Sequence, residues 1–366
     1  MTDAITPRSS SKLAGLVVGD RVRLARESLG WTQTELSRQM DQDLSSSAIS
    51  LLEAGRTRMS GPTLTSLCRA TGFQPSFFVM PDRDTTVPAF FRSLRSATKS
   101  ARAQGLAQAH IVRGLVEALE THVRLPEPEV PLVEVDDLDD VESAAAEVRA
   151  AWGLGDAPIE NVVRTLERHG IVVARTMVNA ETIDAFSVPF AGRPIVILGN
   201  DKGVTARSRF DAAHELGHLV MHAWEDAETT EAEKQAHRFA AALLLPEEPM
   251  HEALSGRLRW PDLLDLKATW GVSIAALLYR GRDIGAIPQH VYVNAIKAMS
   301  ARGWRKVEPG DDRLGGPEKP VLLKRAVSVA ESNGVTLGQI VTESGLPSDL
   351  VRRLLGEQDK RFVVEI

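Results

Sequence analysis

The chain has 366 residues, room for two or three domains with their own cores, and its 43% apolar content is ordinary for a globular protein. No run of about 18 apolar residues occurs, which excludes a membrane-spanning helix; the N-terminus lacks a basic start followed by an apolar stretch; and the single cysteine, Cys68, excludes an internal disulfide and a thiolate zinc site, so a cytoplasmic protein is expected. Net charge is −6, yet residues 1–113 hold 15 Lys and Arg against 9 Asp and Glu, a balance of +6 that leaves −12 for the remainder, so the two parts face different partners.

Five short helices are expected over residues 18–80. Val18, Val22, Ala25 and Leu29 recur at helical spacing. Thr32 with Glu35 three residues later forms a capping box that opens a helix through Met40. Ser45 or Ser46 caps a third helix through Ala54, which Gly55 ends. Pro62 sits just inside a fourth, closed by Gly72, and Pro75–Phe78 forms a last turn. Two short helices, a tight turn and supporting helices make a helix-turn-helix arrangement.

Trp31-Thr-Gln-Thr-Glu-Leu36 and Ala48-Ile-Ser-Leu-Leu-Glu-Ala-Gly55 resemble the Cro/CI-type (XRE) regulators. In that family the third helix enters the major groove. The resemblance implies that Ser46, Ser47 and Ser50 face the groove of an operator duplex and that Gln33 meets a phosphate or a base. It makes Arg23, Arg56 and Arg58 candidates for clamping the DNA backbone. The turn Asp41-Gln-Asp-Leu44 is about two residues longer than usual and lacks the customary Gly, so two acids sit near DNA. A lone helix-turn-helix buries little DNA, and by analogy a homodimer on paired half-sites is expected.

Residues 85–116 carry Arg92, Arg95, Lys99, Arg102 and Arg113 and no acid, and Leu106–Val123 reads as a helix. The run either adds phosphate contacts or is a solvated face. Phe90-Phe91-Arg92-Ser93 also resembles the joining segment of helix-turn-helix/ImmA-type fusions. Pro126–Pro131 is a stiff extended linker. Acidic residues 134–142 then open a domain whose first helix runs to Trp152. Ile171–Thr176 reads as a strand, and Ile183–Phe190 and Pro194–Leu198 flank Ala191-Gly192-Arg193 as a hairpin. Such a small sheet offers an edge to an extended peptide.

His214-Glu215-Leu216-Gly217-His218 has the H-E-x-x-H spacing. Two imidazoles four residues apart share a helix face and reach one metal ion, while Glu215, turned about 100° away, lies beside the metal where a general base belongs. Gly217 weakens the helix and points to close packing. A catalytic zinc needs a third protein ligand. His222 is eight residues from His214, about 12 Å along the same helix, too far to join the pair on one ion; it reads as structural or as steadying a ligand from behind. Glu233, near the start of a second helix, is the better candidate, followed by Glu228, Glu231 and His237, and spacing alone does not choose among them.

Arg209-Phe-Asp-Ala-Ala-His-Glu-Leu-Gly-His-Leu-Val-Met-His222, with Glu233-x-x-Ala236 and Phe239–Pro246, resembles the ImmA/IrrE family of zinc peptidases, and Asp184–Ser187 and Pro194–Leu198 resemble its strand pair. The likeness covers roughly residues 140–280. It implies that His214, His218 and Glu233 hold Zn2+ and that Glu215 is the catalytic base. The family usually has Asn or Asp four residues after the third ligand; here His237 stands there, an imidazole that either orients a ligand or competes for metal.

Further on, helices fill Trp260–Arg280, and the Gly/Pro/charge-rich residues 305–320 read as a loop or linker. Thr336–Leu355 then has a faint helix-turn-helix cadence read as packing. The expected fold is mainly α with a small β-sheet (α+β). It comprises a five-helix helix-turn-helix domain over 16–81, a basic connector and linker over 82–131, a minimal zincin-like domain over 132–300, and a linker with a helical unit over 301–366. Together the resemblances imply a DNA-binding regulator carrying a zinc endopeptidase that cleaves a repressor-like protein, or the chain itself. The alternative is a transcription factor whose zincin fold is a non-catalytic sensor or dimerisation module. A toxin–antitoxin or phage-immunity role is compatible with either.

Overall fold

Local capping chemistry decides where the N-terminal helices begin. The structure, a computed structural model, describes residues 13–81, 98–176, 185–199, 205–222, 229–305 and 307–357. Arg92, Arg95, the Phe90–Ser93 segment, Ile183, Asp184 and Glu228 lie outside these residues. Helices α1 (Gly19–Ser28), α2 (Gln33–Gln39), α3 (Ser46–Glu53) and α4 (Gly61–Thr71) are followed by a 3-10 turn, Phe77–Val79. Thr32 and Glu35 form the reciprocal capping box of α2, and the Ser45 hydroxyl accepts from Ala48 N at the start of α3. Between α2 and α3, Asp41 and Gln42 take φ 53° and 64°. That left-handed backbone costs a non-glycine residue about 1–2 kcal/mol. The turn is tied by Gln42 N to Ser37 O (2.9 Å) and by the Ser37 hydroxyl to Leu44 O (2.6 Å).

The connector helix α5 (Lys99–Glu120) starts seven residues before the expected Leu106, because Thr98 caps it. It is a shared spine. Its apolar face joins one continuous core that contains Val22, Leu36, Ile49 and Phe77 of the N-terminal bundle, Val172, Phe186 and Ile197 of a sheet, and Leu323 and Ile340 near the C-terminus. The proline-rich segment after α5 is pinned rather than free: Arg193 donates to Pro126 O, and Glu129 N donates to His169 O.

Beyond α6 (Leu138–Ala151) and α7 (Val162–Arg168) come β1 (Val172–Arg175), β2 (Ala185–Val188) and β3 (Ile195–Leu198) in the order β1-β3-β2. β1 runs parallel to β3, and β2 pairs antiparallel with it in the expected hairpin. Strand alternation gives the sheet two buried faces. Phe186 and Val188 join the core around α5, and Ala185 joins a second core built on α8 (Thr205–Met221) and α9 (Thr230–Leu244). Gly217 lets these two helices close up: a Cβ there would lie 2.9 Å from the Phe239 ring.

Helices α10 (Glu247–Leu254), α11 (Trp260–Trp270), α12 (Ile274–Asp283) and α13 (Gln289–Ala301) complete this core. The Gly/Pro-rich stretch after them is a polar strap. Glu308 accepts from Ile274 N and Ala275 N and pairs with buried Lys267; Gly315 O accepts from Thr205; Glu318 accepts from Val163 N and pairs with Arg209. The chain then returns through α14 (Leu322–Ser332), α15 (Leu337–Ser344) and α16 (Ser348–Leu354) to the N-terminal bundle, where Gln74 N donates to Gly345 O. Among the described residues no helix is long and apolar enough to cross a membrane.

Candidate metal centre and nucleic-acid interface

One turn of α8 brings His214 and His218 to the same side, and both rings are buried against α9. Their Nε2 atoms are 3.0 Å apart. Across the interface, Glu233 on the first turns of α9 reaches to 3.6 Å from His214 Nε2 and 3.5 Å from His218 Nε2. Four-coordinate zinc with bonds of about 2.0–2.2 Å sets its ligand atoms about 3.3–3.5 Å apart. The observed separations bracket that value, and the three donors all lie within 4.8 Å of one another. Two imidazoles and one carboxylate therefore fit a zinc ion in size and chemistry. Burial pushes the Glu233 carboxyl up, but the two facing imidazoles outweigh it and hold it down to about 2, ionised and ready to ligate.

A chain of side-chain contacts stands behind the pair. Burial, reinforced by His218, pushes the His222 imidazole down to about 4, so it is neutral at pH 7. Gln235 Oε1 accepts from His222 Nε2 (3.1 Å). His222 Nδ1 lies 2.8 Å from His218 Nδ1. His222 thus touches His218 from behind. His237 lies one turn past Glu233, and its ring meets Phe210 and Tyr279.

Glu215 is buried on α8, and its Oε2 accepts from the Ser187 hydroxyl of β2 at 2.8 Å. Sequence reasoning missed Ser187. Its signal is a lone hydroxyl in a strand buried on both faces, where an unpartnered polar group is costly.

In the N-terminal bundle, Ser47 and Ser50 on α3 are exposed and Ser46 is half-buried. Leu51, which the sequence reading passed over, is 47% exposed one turn after Ser47. Arg56 and Arg58 are exposed just past α3. Gln33 is half-buried and Arg23 exposed, and both have partners in the bundle: Gln33 Nε2 donates to Glu53 Oε2 (2.9 Å), and Arg23 faces Asp20 at 3.3 Å and donates to Glu53 O.

Two family models match the chain. The model described as a helix-turn-helix domain covers residues 17–76, the whole of α1–α4. A peptidase-family model described as an IrrE N-terminal-like domain covers residues 166–281, from the end of α7 to α12. The chain is a helix-turn-helix protein fused to an IrrE-type domain. The two helices that carry His214, His218 and Glu233 fall inside the second match, and the exposed α3 serines fall inside the first. Among curated proteins none matches the chain.

Proposed function

We propose that the fusion is a DNA-binding regulator whose IrrE-type domain is a zinc-dependent endopeptidase acting on a repressor-like protein. The observation that carries this reading is the convergence of His214 Nε2, His218 Nε2 and a Glu233 oxygen, with Glu215 on the adjoining turn. Bound zinc polarises a peptide carbonyl and acidifies water. Glu215 takes the proton of the attacking water and passes it to the leaving amide nitrogen. Ser187 holds the Glu215 carboxylate by one oxygen, and His222, itself in contact with Gln235, braces the His218 ring from behind. His237 packs against the metal-facing side of both helices through Phe210 and steadies it.

Elemental analysis tests the metal. The purified chain is expected to carry about one zinc, and His214→Ala to carry almost none, because two remaining protein ligands bind zinc poorly. A His214→Ala chain that keeps a full zinc equivalent would move the site elsewhere.

On DNA, Ser46, Ser47 and Ser50 of α3 meet base edges, Gln33 meets a phosphate or a base, and Arg23, Arg56 and Arg58 clamp the backbone. A homodimer places two α3 helices on paired half-sites. Ser47→Ala combined with Ser50→Ala is expected to reduce the preference for the operator over a scrambled duplex by about tenfold while affinity for the scrambled duplex hardly changes, since short hydroxyls contribute specificity more than charge. Gel shifts on both duplexes read the ratio, and an unchanged ratio would take recognition off α3.

A further inference from the structure

The two metal-facing helices continue into a strip of rings that the reaction above does not use. Phe210 precedes His214 by one turn of α8, and His237 follows Glu233 by one turn of α9. Their ring centroids are 4.9 Å apart. His237 meets Tyr279 of α12 edge-on at 5.2 Å. The Arg282 guanidinium then lies over two rings at once, 4.6 Å from the centre of Tyr279 and 4.8 Å from that of Tyr292 on α13. All five side chains are half-buried, so the strip is reachable from solvent.

Arg282 differs from the other arginines nearby. Arg209, Arg238 and Arg280 are each held by a carboxylate, from Glu318 or Glu142. Asp283, next to Arg282 in sequence, is turned toward Arg238 at 3.6 Å. Among the described residues no carboxylate lies within ion-pair distance of Arg282. Two flanking π-faces fix its plane, which presents a forked, permanently charged donor that matches a carboxylate in a bidentate way.

We propose that this strip is a substrate-side pocket of the metal centre and that Arg282 selects peptides bearing aspartate or glutamate close to the scissile bond. The inference rests on the peptidase reading above. The two steps from His237 to Arg282 span at most 5.2 and 4.6 Å. His237 is itself one helical turn, about 5.4 Å, from Glu233, so the path from the ligand side chains to Arg282 is at most about 15 Å, and an extended peptide advancing about 3.3 Å per residue puts the selected acid within about five positions of the cleaved bond. The Phe210, His237 and Tyr279 rings line the way for the apolar part of the neighbouring side chains.

The test digests a degenerate peptide library with the zinc-loaded full chain and reads the cleavage sites by mass spectrometry. A matched pair of the enriched peptides, with Glu or Gln at the selected position, is then titrated against Glu215→Gln by fluorescence anisotropy. The expected result is an acid enriched at one position and at least about tenfold tighter binding of the Glu peptide, the scale of a charge-assisted bidentate contact. In the Glu215→Gln background, Arg282→Gln is expected to erase the difference and Arg282→Lys to retain part of it, with zinc content and melting temperature unchanged. Cleavage with no acid enrichment, or a preference that survives Arg282→Gln, would overturn the pocket alone. A zinc-loaded chain that cleaves no peptide of the library would overturn the peptidase reading and this inference with it.

Discussion

Glu215→Gln is expected to lower peptide hydrolysis by roughly 10²–10⁴-fold, the usual contribution of a general base, while the chain keeps its zinc and its fold. Gln has the same shape as Glu, and its carbonyl oxygen can still accept from the Ser187 hydroxyl, which now donates to Glu215 Oε2 at 2.8 Å. The buried position is therefore not left unpaired. What Gln lacks is basicity, so the proton of the attacking water has no acceptor. The proposed ligands, His214, His218 and Glu233, do not include this side chain. Initial rates and elemental analysis on the same preparations give the answer. Full activity would place the base elsewhere, and a loss of zinc along with activity would make Glu215 a structural residue. Where operator control in cells is unaltered by the substitution, the domain serves regulation as a sensor or dimerisation module without turnover.

The parts of the fold that depend on nearest neighbours along the chain were legible before any coordinates. Thr32, Ser45 and Pro62 mark helix starts by local hydrogen bonding and fixed φ, and each stands where it was expected. The His214–His218 pair follows from helical period alone. The carboxylate that joins them, Glu233, does not, because the Phe239 ring over Gly217 sets which turn of α9 faces the pair, and that contact joins residues 22 apart in sequence. The same holds for Ser187 on Glu215 and Gln235 on His222, both brought together by tertiary packing. The stretch over residues 305–320 reads as a loop or linker because Gly, Pro and charge dominate it. Its acids in fact cap or anchor elements far back in the chain, with Glu308 at the start of α12 and Glu318 at α7 and Arg209. A polar composition therefore hid a tightly held segment, since composition reports solubility and not which backbone donors a carboxylate finds.

Glu53→Ala is expected to destabilise the N-terminal bundle by about 3–5 kcal/mol, the cost of leaving one member of a buried ion pair without its partner. Glu53 is 3% exposed and Arg26 is 8% exposed. The two meet through Arg26 Nε to Oε1 at 2.6 Å and Nη2 to Oε2 at 2.9 Å, a bidentate geometry, while the more exposed Glu27 stands 3.2 Å from Nη2 by one oxygen, so Glu53 is the larger of the guanidinium's two carboxylate partners. The same carboxylate accepts from Gln33, so its loss also releases the side chain at the start of α2. Urea denaturation followed by circular dichroism measures the stability change. Replacing both partners, Arg26→Met with Glu53→Leu, is expected to recover most of it, because an apolar pair of similar volume carries no desolvated charge. Operator binding then separates two roles of Glu53. A double variant that regains stability and DNA affinity shows that the pair only holds the bundle together. One that regains stability while operator preference stays low shows that Glu53 also places Gln33 for the duplex. A loss below about 1 kcal/mol in Glu53→Ala, the range of an exposed pair, would mean that water reaches Arg26 and that the ion pair is not part of the core.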